Sequence, residues 1–569
     1  MSDAFELRGV VEGFYGPPWS TVARLDLVRF IADHGMNAYV YAPKEDPFHR
    51  ARWREPYDVD MTAHFHDLGN TCRAREVRCG WAISPGLDIG YGSEQDRAAL
   101  LRKIAPLVDL GFDWVVLALD DIPLTPGLAA EQAALITWLH GALHELHPGA
   151  QLTVCPTEYV GTRATSYLGS LAAGIPPDVD VLWTGPTVCS PTIATADADA
   201  WRAAVGGRRT IIWDNYPVND GPMEQWLHLG AYRGRDPELA GVVAGVLCNP
   251  MSRPEASRVP LATAARFLGA PTGYDPEVAW SDAIREVAGP LAGPLATLAR
   301  ACEESPIRPA ATLAIRPLVD ATADALGGPD WIPPVRAAAG AFEQVLTDAA
   351  RWRAEVGDIP LAEEIRPWWR QARREALAGL AALQLVQALR PVLARDGAIA
   401  APDAEAAMQF AFGALFTWGA ARAATGPAVF GARFGFHPAV VQRPDGRPAL
   451  DVTLALREDG NAVDRLVRIA LHDYARWCAA PSPPDPVQVT LDGVTLHDGP
   501  PGPGAPGNTS HGDTSNGDPS DDDHRATPLL RLPVDAACDV LLRSGMMTTR
   551  LVGPAYTLPF PDTRLGATA

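Results

Sequence analysis

The sequence predicts an α/β fold, a (β/α)8 TIM barrel, followed by a helical bundle domain and a small β-containing C-terminal region. Within the first ~260 residues, eight short apolar runs alternate with longer segments, several of which have helical periodicity. Continuous apolar strands that alternate with helices indicate a parallel sheet covered on its outer face, and eight such units in this length match a barrel. An open doubly wound sheet is the competing fold, but no GxGxxG loop follows any strand.

Each predicted strand ends on Gly, Pro or a polar residue. In chain order the strands are RGVVEGFYG from Arg8, NAYVYAPK from Asn37, RCGWAISPG from Arg78, WVVLALDD from Trp114, LTVCPTEY from Leu152, DVLWTGP from Asp180, TIIWDN from Thr210 and GVLCNP from Gly245. Of the helical segments between them, STVARLDLVRFIADHG offers Ser20 as an N-cap. SEQDRAALLRKIAPLVDLG ends on Gly111, a candidate C-cap.

The remaining chain changes character twice. We predict a barrel over residues 1–272, a helical bundle over 273–425 and a mixed C-terminal region over 426–569. The helical periodicity is clearest in LAEEIRPWWRQARREALAGLAALQLVQALRPVLARD, and one more amphipathic helix is predicted from Asn461. VQVTLDGVTL and DVLLRSGMMTTRLV are strand-like, and the insert 498–527 between them is predicted to be disordered.

Composition excludes several functional classes. The formal net charge of −20 argues against nucleic acid or an anionic membrane surface as a partner, and favours a neutral or cationic ligand. The eight cysteines contain no CxxC pair and no Cys/His metal spacing, so reduced, buried thiols are expected. Neither an export signal nor a membrane-spanning apolar run is evident, which predicts a cytoplasmic protein.

Polar residues concentrate where the predicted strands end, the edge at which barrels of this type carry out their chemistry. They are Glu12, Gly13, Lys44, Asp88, Asp120, Asp121, Glu158, Tyr159, Thr184, Trp213, Asp214, Asn215 and Asn249, with Asp220 a little further on. Carboxylates, amides and aromatic rings suit a sugar, whose hydroxyls need hydrogen-bond partners and whose apolar faces stack on rings. The alternative is that these residues are caps and turns, above all Asp88, Glu158 and Asp214.

Two other kinds of site are disfavoured. No histidine lies at a strand end, so a His-containing metal site is not expected, and no Ser/His pair offers an activated serine. We predict no metal and no cofactor.

The adjacent Asp120 and Asp121 pose a specific question, because like charges repel and burial penalises both. Successive side chains on a strand point to opposite faces, so both reach one pocket only if the strand ends there, as Ile122 and Pro123 suggest. Two carboxylates this close are expected to titrate together, with one of them holding a proton. That protonated member is a candidate general acid.

The motifs GVVEGFYGPPW, YAPKEDP, AISPGLDI, DDI, CPTEY, LWTGP, IWDN and NP resemble, in order, those of glycoside hydrolase family 84. The resemblance covers residues ~6–260 and involves every predicted strand of the barrel. It implies a retaining β-N-acetylglucosaminidase that removes terminal β-linked GlcNAc, including GlcNAc on Ser or Thr of proteins. The substrate's acetamido oxygen would attack the anomeric carbon to form an oxazoline, which water then opens.

The resemblance also implies roles for individual residues. Asp120 would orient and polarise the acetamido N–H, and Asp121 would be the general acid and then the general base. The implied substrate-binding residues are Gly13, Lys44, Tyr159, Thr184, Trp213, Asn215, Asp220 and Asn249, with Cys155 beside the N-acetyl group. The helical region would shape the cleft or form a homodimer.

Two alternatives stay open at this stage. The barrel could be a catalytically silent GlcNAc- or glycoprotein-binding module, against which the presence of both aspartates argues. It could also act as an endo-hyaluronidase, which a pocket closed by Asp220 would disfavour. The physiological substrate could be a glycoprotein, a cell-wall fragment or a free saccharide.

Overall fold

The computed structural model describes residues 4–307, 315–326, 328–393 and 427–430, residues 466, 469 and 470, and short strands between 436 and 556. Eight parallel strands close into a barrel in sequence order, with β1 paired to both β2 and β8. They are β1 Leu7–Glu12, β2 Ala38–Tyr41, β3 Arg78–Ile83, β4 Trp114–Ala118, β5 Gln151–Cys155, β6 Asp180–Trp183, β7 Thr210–Asp214 and β8 Gly245–Cys248. The predicted (β/α)8 barrel and all eight of its strands are confirmed.

Helices follow the strands with one exception. They are α1 Thr21–Asp33, α2 Val59–Ala74, α3 Glu94–Asp109, α4 Leu128–Leu146, α5 Ser166–Gly174, α6 Thr195–Ala204 and, after β8, α7 Pro254–Gly269. Between β7 and β8 the chain forms two short 3-10 helices instead, Gly221–Met223 and Pro237–Gly241. The Ser20 side chain caps α1 by accepting from the Ala23 N–H at 3.2 Å, as predicted. Gly111 follows α3 at a φ of 99°, which favours glycine.

Alternate strand residues face two separate cores, as the pleat requires. Val11, Val40, Val116 and Leu247 belong to a cluster of residues inside the barrel. Residues one position away, such as Val10, Tyr39 and Val115, pack in a larger cluster with the helices. Because both faces of every strand are buried, the sequence shows continuous apolar runs rather than alternation.

Among the described residues up to 393, five further α-helices follow the barrel: α8 Pro276–Ala288, α9 Ala292–Ala301, α10 Ile315–Ala325, α11 Ile332–Glu355 and α12 Pro360–Leu393. The chain divides into two compact units. One comprises Met1–Ala299, Pro306–Arg308 and Gly357–Ile365, and the other comprises the rest. In the second unit, the Trp352 and Trp369 rings lie 6.0 Å apart. Gly379 of α12 abuts the Phe342 ring of α11 so closely that a Cβ there would lie 2.5 Å from it.

The C-terminal region contains antiparallel strands. A five-stranded sheet has the order β12-β11-β13-β10-β9, formed by β9 Phe436–Gln442, β10 Pro448–Leu454, β11 Gln488–Leu491, β12 Val494–His497 and β13 Thr527–Pro533. Two short strands, β14 Leu551–Val552 and β15 Ala555–Tyr556, pair with each other. VQVTLDGVTL supplies the β11–β12 hairpin. The helix predicted from Asn461 and the predicted disordered insert fall almost wholly outside the described residues. Over the part of the chain that is described, no helix combines the length and hydropathy needed to cross a bilayer.

Candidate active site

A cleft of about 510 Å³, open to solvent, lies where the barrel strands end. All ten residues predicted to bind substrate or to catalyse line it, as does Cys155: Gly13, Lys44, Asp120, Asp121, Cys155, Tyr159, Thr184, Trp213, Asn215, Asp220 and Asn249. These residues come from the loops after seven of the eight strands or from the ends of those strands. A closed parallel barrel is what brings such distant positions together.

The period of two along each strand explains which side chains enter the cleft. Ala42 and Ala118 face the barrel interior, and Lys44 and Asp120 lie two positions beyond them. Leu182 and Leu247 are interior too, and Thr184 and Asn249 follow at the same spacing. Each polar residue therefore continues an inward-facing series past the end of its strand.

Asp121 breaks this rule through its backbone. Its φ is 56°, in the left-handed region that few residues other than Gly, Asn and Asp adopt. One position after the inward-facing Asp120, a continued strand would direct Asp121 to the helical layer. The left-handed turn instead brings both carboxylates to the same cleft.

Asp120 forms a buried ion pair with Lys44 through its Oδ2 atom. Burial alone would lower the pKa of Lys44, but the facing Asp120 carboxylate raises it above its ordinary value, so the ammonium stays charged. The other carboxylate oxygen, Asp120 Oδ1, is buried, and no donor among the described residues reaches it. A buried acceptor without a partner is costly, and a ligand N–H would satisfy it.

Asp121 is held by two tyrosines. Tyr15 donates its hydroxyl to Asp121 Oδ2 at 2.6 Å, and Tyr159 donates to Oδ1 at 2.9 Å. Behind Tyr15, the Arg50 guanidinium donates to the Tyr15 hydroxyl at 2.7 Å. Burial, and then the negative charge of Asp121, raise the pKa of Tyr159 far above its ordinary value, which keeps this hydroxyl a donor. The two aspartates are adjacent in sequence but have different partners: Asp120 pairs with a cation, and Asp121 accepts from two hydroxyls.

A chain of hydrogen-bonded amides forms another part of the cleft lining. Gly13 donates its N–H to Asn249 Oδ1 at 3.2 Å, Asn249 donates to Asn215 Oδ1 at 2.9 Å, and Asn215 donates to the Val188 carbonyl at 2.7 Å. Trp213 also donates its indole N–H to Asn215 Oδ1, at 3.1 Å. A Cβ at position 13 would lie 2.1 Å from the Trp213 ring, so only glycine fits against it.

The outer rim and the thiols complete the cleft. Asp220 accepts the Tyr15 backbone N–H at 2.6 Å, and burial raises the pKa of this carboxyl. Burial raises the pKa of Cys189 to about 11 and that of Cys155 well above its ordinary value. Both thiols therefore stay protonated near neutral pH and are poor nucleophiles.

Four strand-end carboxylates expected at the barrel mouth do not line the cleft. Glu12 faces the helical layer, where Arg24, Tyr39 and the Trp19 N–H donate to it. Asp214 likewise points outward and pairs with Arg235. Asp88 accepts from Trp53 and Arg54, and Glu158 accepts from the Thr165 hydroxyl. Asp88 and Glu158 lie in a turn and a bend, as the alternative predicts. Asp214 is not a turn residue but the last residue of β7, held by Arg235 and Tyr232. The expectation that Glu12 faces the cleft is wrong, because the pleat turns it outward.

Four lining residues escaped the sequence analysis: Tyr15, Val188, Cys189 and Val218. Tyr15 lies two residues beyond Gly13 in the quoted GVVEGFYGPPW motif, so its position was a usable signal. Val188, Cys189 and Val218 lie on long loops after β6 and β7, whose paths no periodicity predicts.

The closed barrel, the adjacent Asp120 and Asp121, and the aromatic and amide side chains that line the cleft are together typical of one class of protein, the (β/α)8-barrel glycoside hydrolases. The β-N-acetylglucosaminidase family model matches residues 8–300, more than half of the chain. The chain therefore belongs to this family, and the resemblance to glycoside hydrolase family 84 is confirmed.

Individual relatives agree with this assignment. The chain is 35% identical over 274 residues to the Protein O-GlcNAcase of Rattus norvegicus and to that of Mus musculus. These matches cover 46% of the chain and only 30% of either curated relative's length. Among solved structures, a mutant O-GlcNAc hydrolase of Thermobaculum terrenum is similar with a TM-score of 0.64 at 30% identity, covering 74% of this chain and 96% of that one. The protein CpGH84B gives 0.66 at 27% identity, covering 73% and 74%.

Proposed function

We propose that this protein is a retaining exo-β-N-acetylglucosaminidase that removes terminal β-linked GlcNAc, including GlcNAc on Ser or Thr of proteins, by substrate-assisted catalysis. One observation carries the proposal. One carboxylate oxygen of Asp120 accepts from Lys44, and the second is buried where no described donor reaches it. The adjacent Asp121 accepts from tyrosine hydroxyls instead of from a cation. An acetamido N–H is a donor of the kind that the second oxygen lacks.

In the first step the substrate's acetamido oxygen attacks the anomeric carbon, and the bond to the aglycone oxygen breaks. Asp120 accepts the acetamido N–H and offsets the positive charge that develops on the amide as the oxazolinium forms. Lys44, charged and paired with Asp120, holds this carboxylate in position through its Oδ2 atom.

Asp121 moves the protons in both steps. Its carboxyl gives a proton to the departing aglycone oxygen, and its carboxylate then takes a proton from the water that opens the oxazoline with retention. Ordinary retaining glycosidases place their two carboxyls about 5–5.5 Å apart across the sugar, one as nucleophile. Neighbouring aspartates suit a different division of labour, in which the nucleophile belongs to the substrate.

The cleft walls provide groups for the rest of the sugar. Tyr159, whose single O–H now donates to Asp121, would turn that hydrogen to the acetamido oxygen when substrate binds, and Thr184 and Trp213 would enclose the acetyl methyl group. The Gly13 carbonyl, Lys44, Asn215, Asp220 and Asn249 would bind ring hydroxyls or the leaving oxygen. Asp220, fixed by the Tyr15 N–H, supports recognition of a non-reducing end rather than of an internal residue.

The decisive experiment uses aryl β-GlcNAc substrates whose N-acyl group carries zero to three fluorines. Fluorine weakens the carbonyl oxygen as a nucleophile, so kcat/KM is expected to fall steeply along the series. Equal rates across the series would contradict acetamide participation while leaving glycosidase activity intact. Binding of GlcNAc without turnover would support the silent module instead.

A second comparison separates substrates. GlcNAc-modified peptides, chitobiose, muropeptide fragments and hyaluronan are assayed side by side, and the highest kcat/KM is expected for terminal GlcNAc on a peptide. Release of internal hyaluronan fragments would favour the endo-acting alternative.

A further inference from the structure

We propose that His140, His144 and Asp178 form a binding site for one divalent transition-metal ion of the zinc type, at the end of the barrel opposite the cleft. The proposal is independent of the proposed catalytic function. One ligand atom from each of these residues lies within 4.8 Å of the other two, and among the described residues no other such group of His, Cys, Asp and Glu occurs.

The helix provides the first two ligands. His140 and His144 are four residues apart on α4, so their side chains lie on one face, one turn apart. Their ring centroids are 4.3 Å apart at an interplanar angle of 69°. Two histidines at this spacing on a helix are a recurring metal-binding arrangement.

One hydrogen bond orients the His144 imidazole for a metal. The Nδ1 atom of His144 lies 3.1 Å from the His140 carbonyl oxygen, which can only accept, so Nδ1 carries the hydrogen. The Nε2 atom of His144 then keeps its lone pair. A ring N–H fixed on a backbone carbonyl is the outer contact that commonly orients a metal-bound histidine.

The third ligand comes from the loop between α5 and β6. Asp178 Oδ2 lies 2.9 Å from His140 Nε2, with the Asp178 side chain exposed and the His140 side chain mostly buried. Arg208 fixes this loop by donating to the carbonyls of Ala172, Ile175 and Pro176. The carboxylate is therefore presented by an anchored segment rather than by a loose one.

The geometry needs only a small adjustment to accept an ion. Tetrahedral zinc with bonds near 2.0–2.1 Å places its ligand atoms roughly 3.3 Å apart. The present separations, up to 4.8 Å, close by small side-chain rotations, and the hydrogen between His140 Nε2 and Asp178 Oδ2 moves to the other ring nitrogen or to solvent as the ion binds. Two nitrogens, one carboxylate oxygen and a water complete a four-coordinate site.

Position indicates what the ion would do. Asp178 precedes β6 by two residues, and His144 lies in the last turn of α4, so the site lies at the N-terminal end of the strands. That end of a barrel serves stability rather than catalysis. The ion would join α4 to the segment that leads into β6 and would stabilise the barrel by binding only the folded state.

The experiment measures Zn²⁺ binding by titration calorimetry and thermal unfolding of the metal-stripped full chain. We expect Zn²⁺ to raise the Tm by about 3 °C or more, and chelator to reverse the rise. His144→Ala and, separately, Asp178→Asn should each weaken the binding at least tenfold. Asp178 lies outside any helix, so its variant preserves the test if His144→Ala folds poorly.

The matched control is His147→Ala, which removes an exposed histidine at the end of the same helix. It should leave Zn²⁺ affinity unchanged. Co²⁺ provides a second readout, because a four-coordinate site gives visible absorption bands that His144→Ala should abolish. Absence of a Tm rise, or binding equally strong in the His144 and Asp178 variants, would overturn the proposal.

Discussion

Two buried carboxylates near the barrel mouth, Glu12 and Asp120, look alike in the sequence and differ in the structure. Both Glu12 oxygens are occupied: Arg24 donates to Oε2 at 2.6 Å and to Oε1 at 2.8 Å, and Tyr39 and the Trp19 N–H donate as well. Asp120 has Lys44 on one oxygen and no described donor on the other. A carboxylate with complete partners holds the fold together, whereas one that lacks a partner is available to a ligand.

The largest expected effect comes from removing the proposed general acid. With Asp121→Ala, kcat/KM for a GlcNAc-serine peptide should fall about 10²–10⁴-fold, because its poor leaving group needs the proton. An activated dinitrophenyl substrate should lose much less, and added azide should restore part of its turnover. Asp120→Asn should damage both substrates, because Lys44 can only donate and so takes the amide oxygen, which leaves the amide NH2, a donor, facing the acetamido N–H.

The matched variant is Asp88→Ala, because Asp88 is a strand-end carboxylate outside the cleft, bonded to Trp53 and Arg54. It should retain nearly full kcat/KM. Similar losses for Asp88→Ala and Asp121→Ala would mean that the cleft doublet has no special role.

Removing a partner from Glu12 should affect the stability of the fold rather than its activity. Arg24→Met leaves Glu12 buried without its cation, and the free energy of unfolding should drop by about 3–5 kcal/mol. Urea unfolding followed by fluorescence measures the loss. The double variant Arg24→Met with Glu12→Gln should recover much of it, because no uncompensated charge remains. If both variants are equally unstable, the cost lies in packing rather than in charge.

Glu364 extends the comparison to a third buried carboxyl group, whose hydrogen-bond donors are neutral backbone N–H groups rather than a cation. Glu364 accepts the backbone N–H groups of Glu255 and Ala256 in the first turn of α7, at 3.2 and 2.8 Å. Burial raises the pKa of Glu364 from 4.5 to about 7. The folded protein therefore holds a proton that the unfolded chain releases, so this contribution to stability is full below about pH 4.5 and is lost as the pH rises towards 7.

Glu364→Gln should remove the loss of stability that the parent protein shows as the pH rises, because glutamine does not ionise. Between about pH 5 and pH 8, the unfolding free energy of the variant relative to the parent protein should rise by about 1–3 kcal/mol. Urea unfolding at the two pH values measures the change. Glu94→Gln, at the exposed start of α3, is the control and should show no such trend. A constant difference between Glu364→Gln and the parent would refute the assignment.

The smallest effect is expected at Tyr15. Tyr15→Phe removes one of two hydroxyl donors on Asp121 but leaves Tyr159, so kcat/KM should fall by only about three- to tenfold. The loss should appear in kcat more than in KM, because the hydroxyl holds the general acid rather than the sugar. Arg50→Met should produce part of the same change, because Arg50 acts through the Tyr15 hydroxyl. An unchanged kcat in both variants would show that this chain of hydrogen bonds does not position the acid.

Much of the barrel was predictable because its determinants are local. Apolar runs, caps such as Ser20 and the left-handed Gly111 identify strands and helix ends. The gathering of the ten predicted residues at one cleft follows from the rule that parallel strand ends share an edge. Their proposed roles came from the family resemblance and stay predictions.

The failures have a common physical origin. With both faces of each strand buried, no polar alternation in the sequence shows which side chains face inward, so Glu12 could not be told from Lys44. Partners such as Arg24 and Tyr39 lie 12 and 27 residues from Glu12, and only the folded chain shows that they satisfy it. The long loop that carries Val188 and Cys189 has no periodic signal at all.

The left-handed turn at Asp121 limits which residues suit position 121. Gly, Asn and Asp enter that region of φ more readily than other residues, and of the three only Asp has a carboxyl group that can give and take a proton. The left-handed backbone and the need for a carboxyl group at position 121 are separate requirements, and aspartate is the residue that best meets both. Glutamate can occupy this region, as Glu76 does at a φ of 56°, but at position 121 its longer side chain would displace the carboxyl from the cleft partners of Asp121.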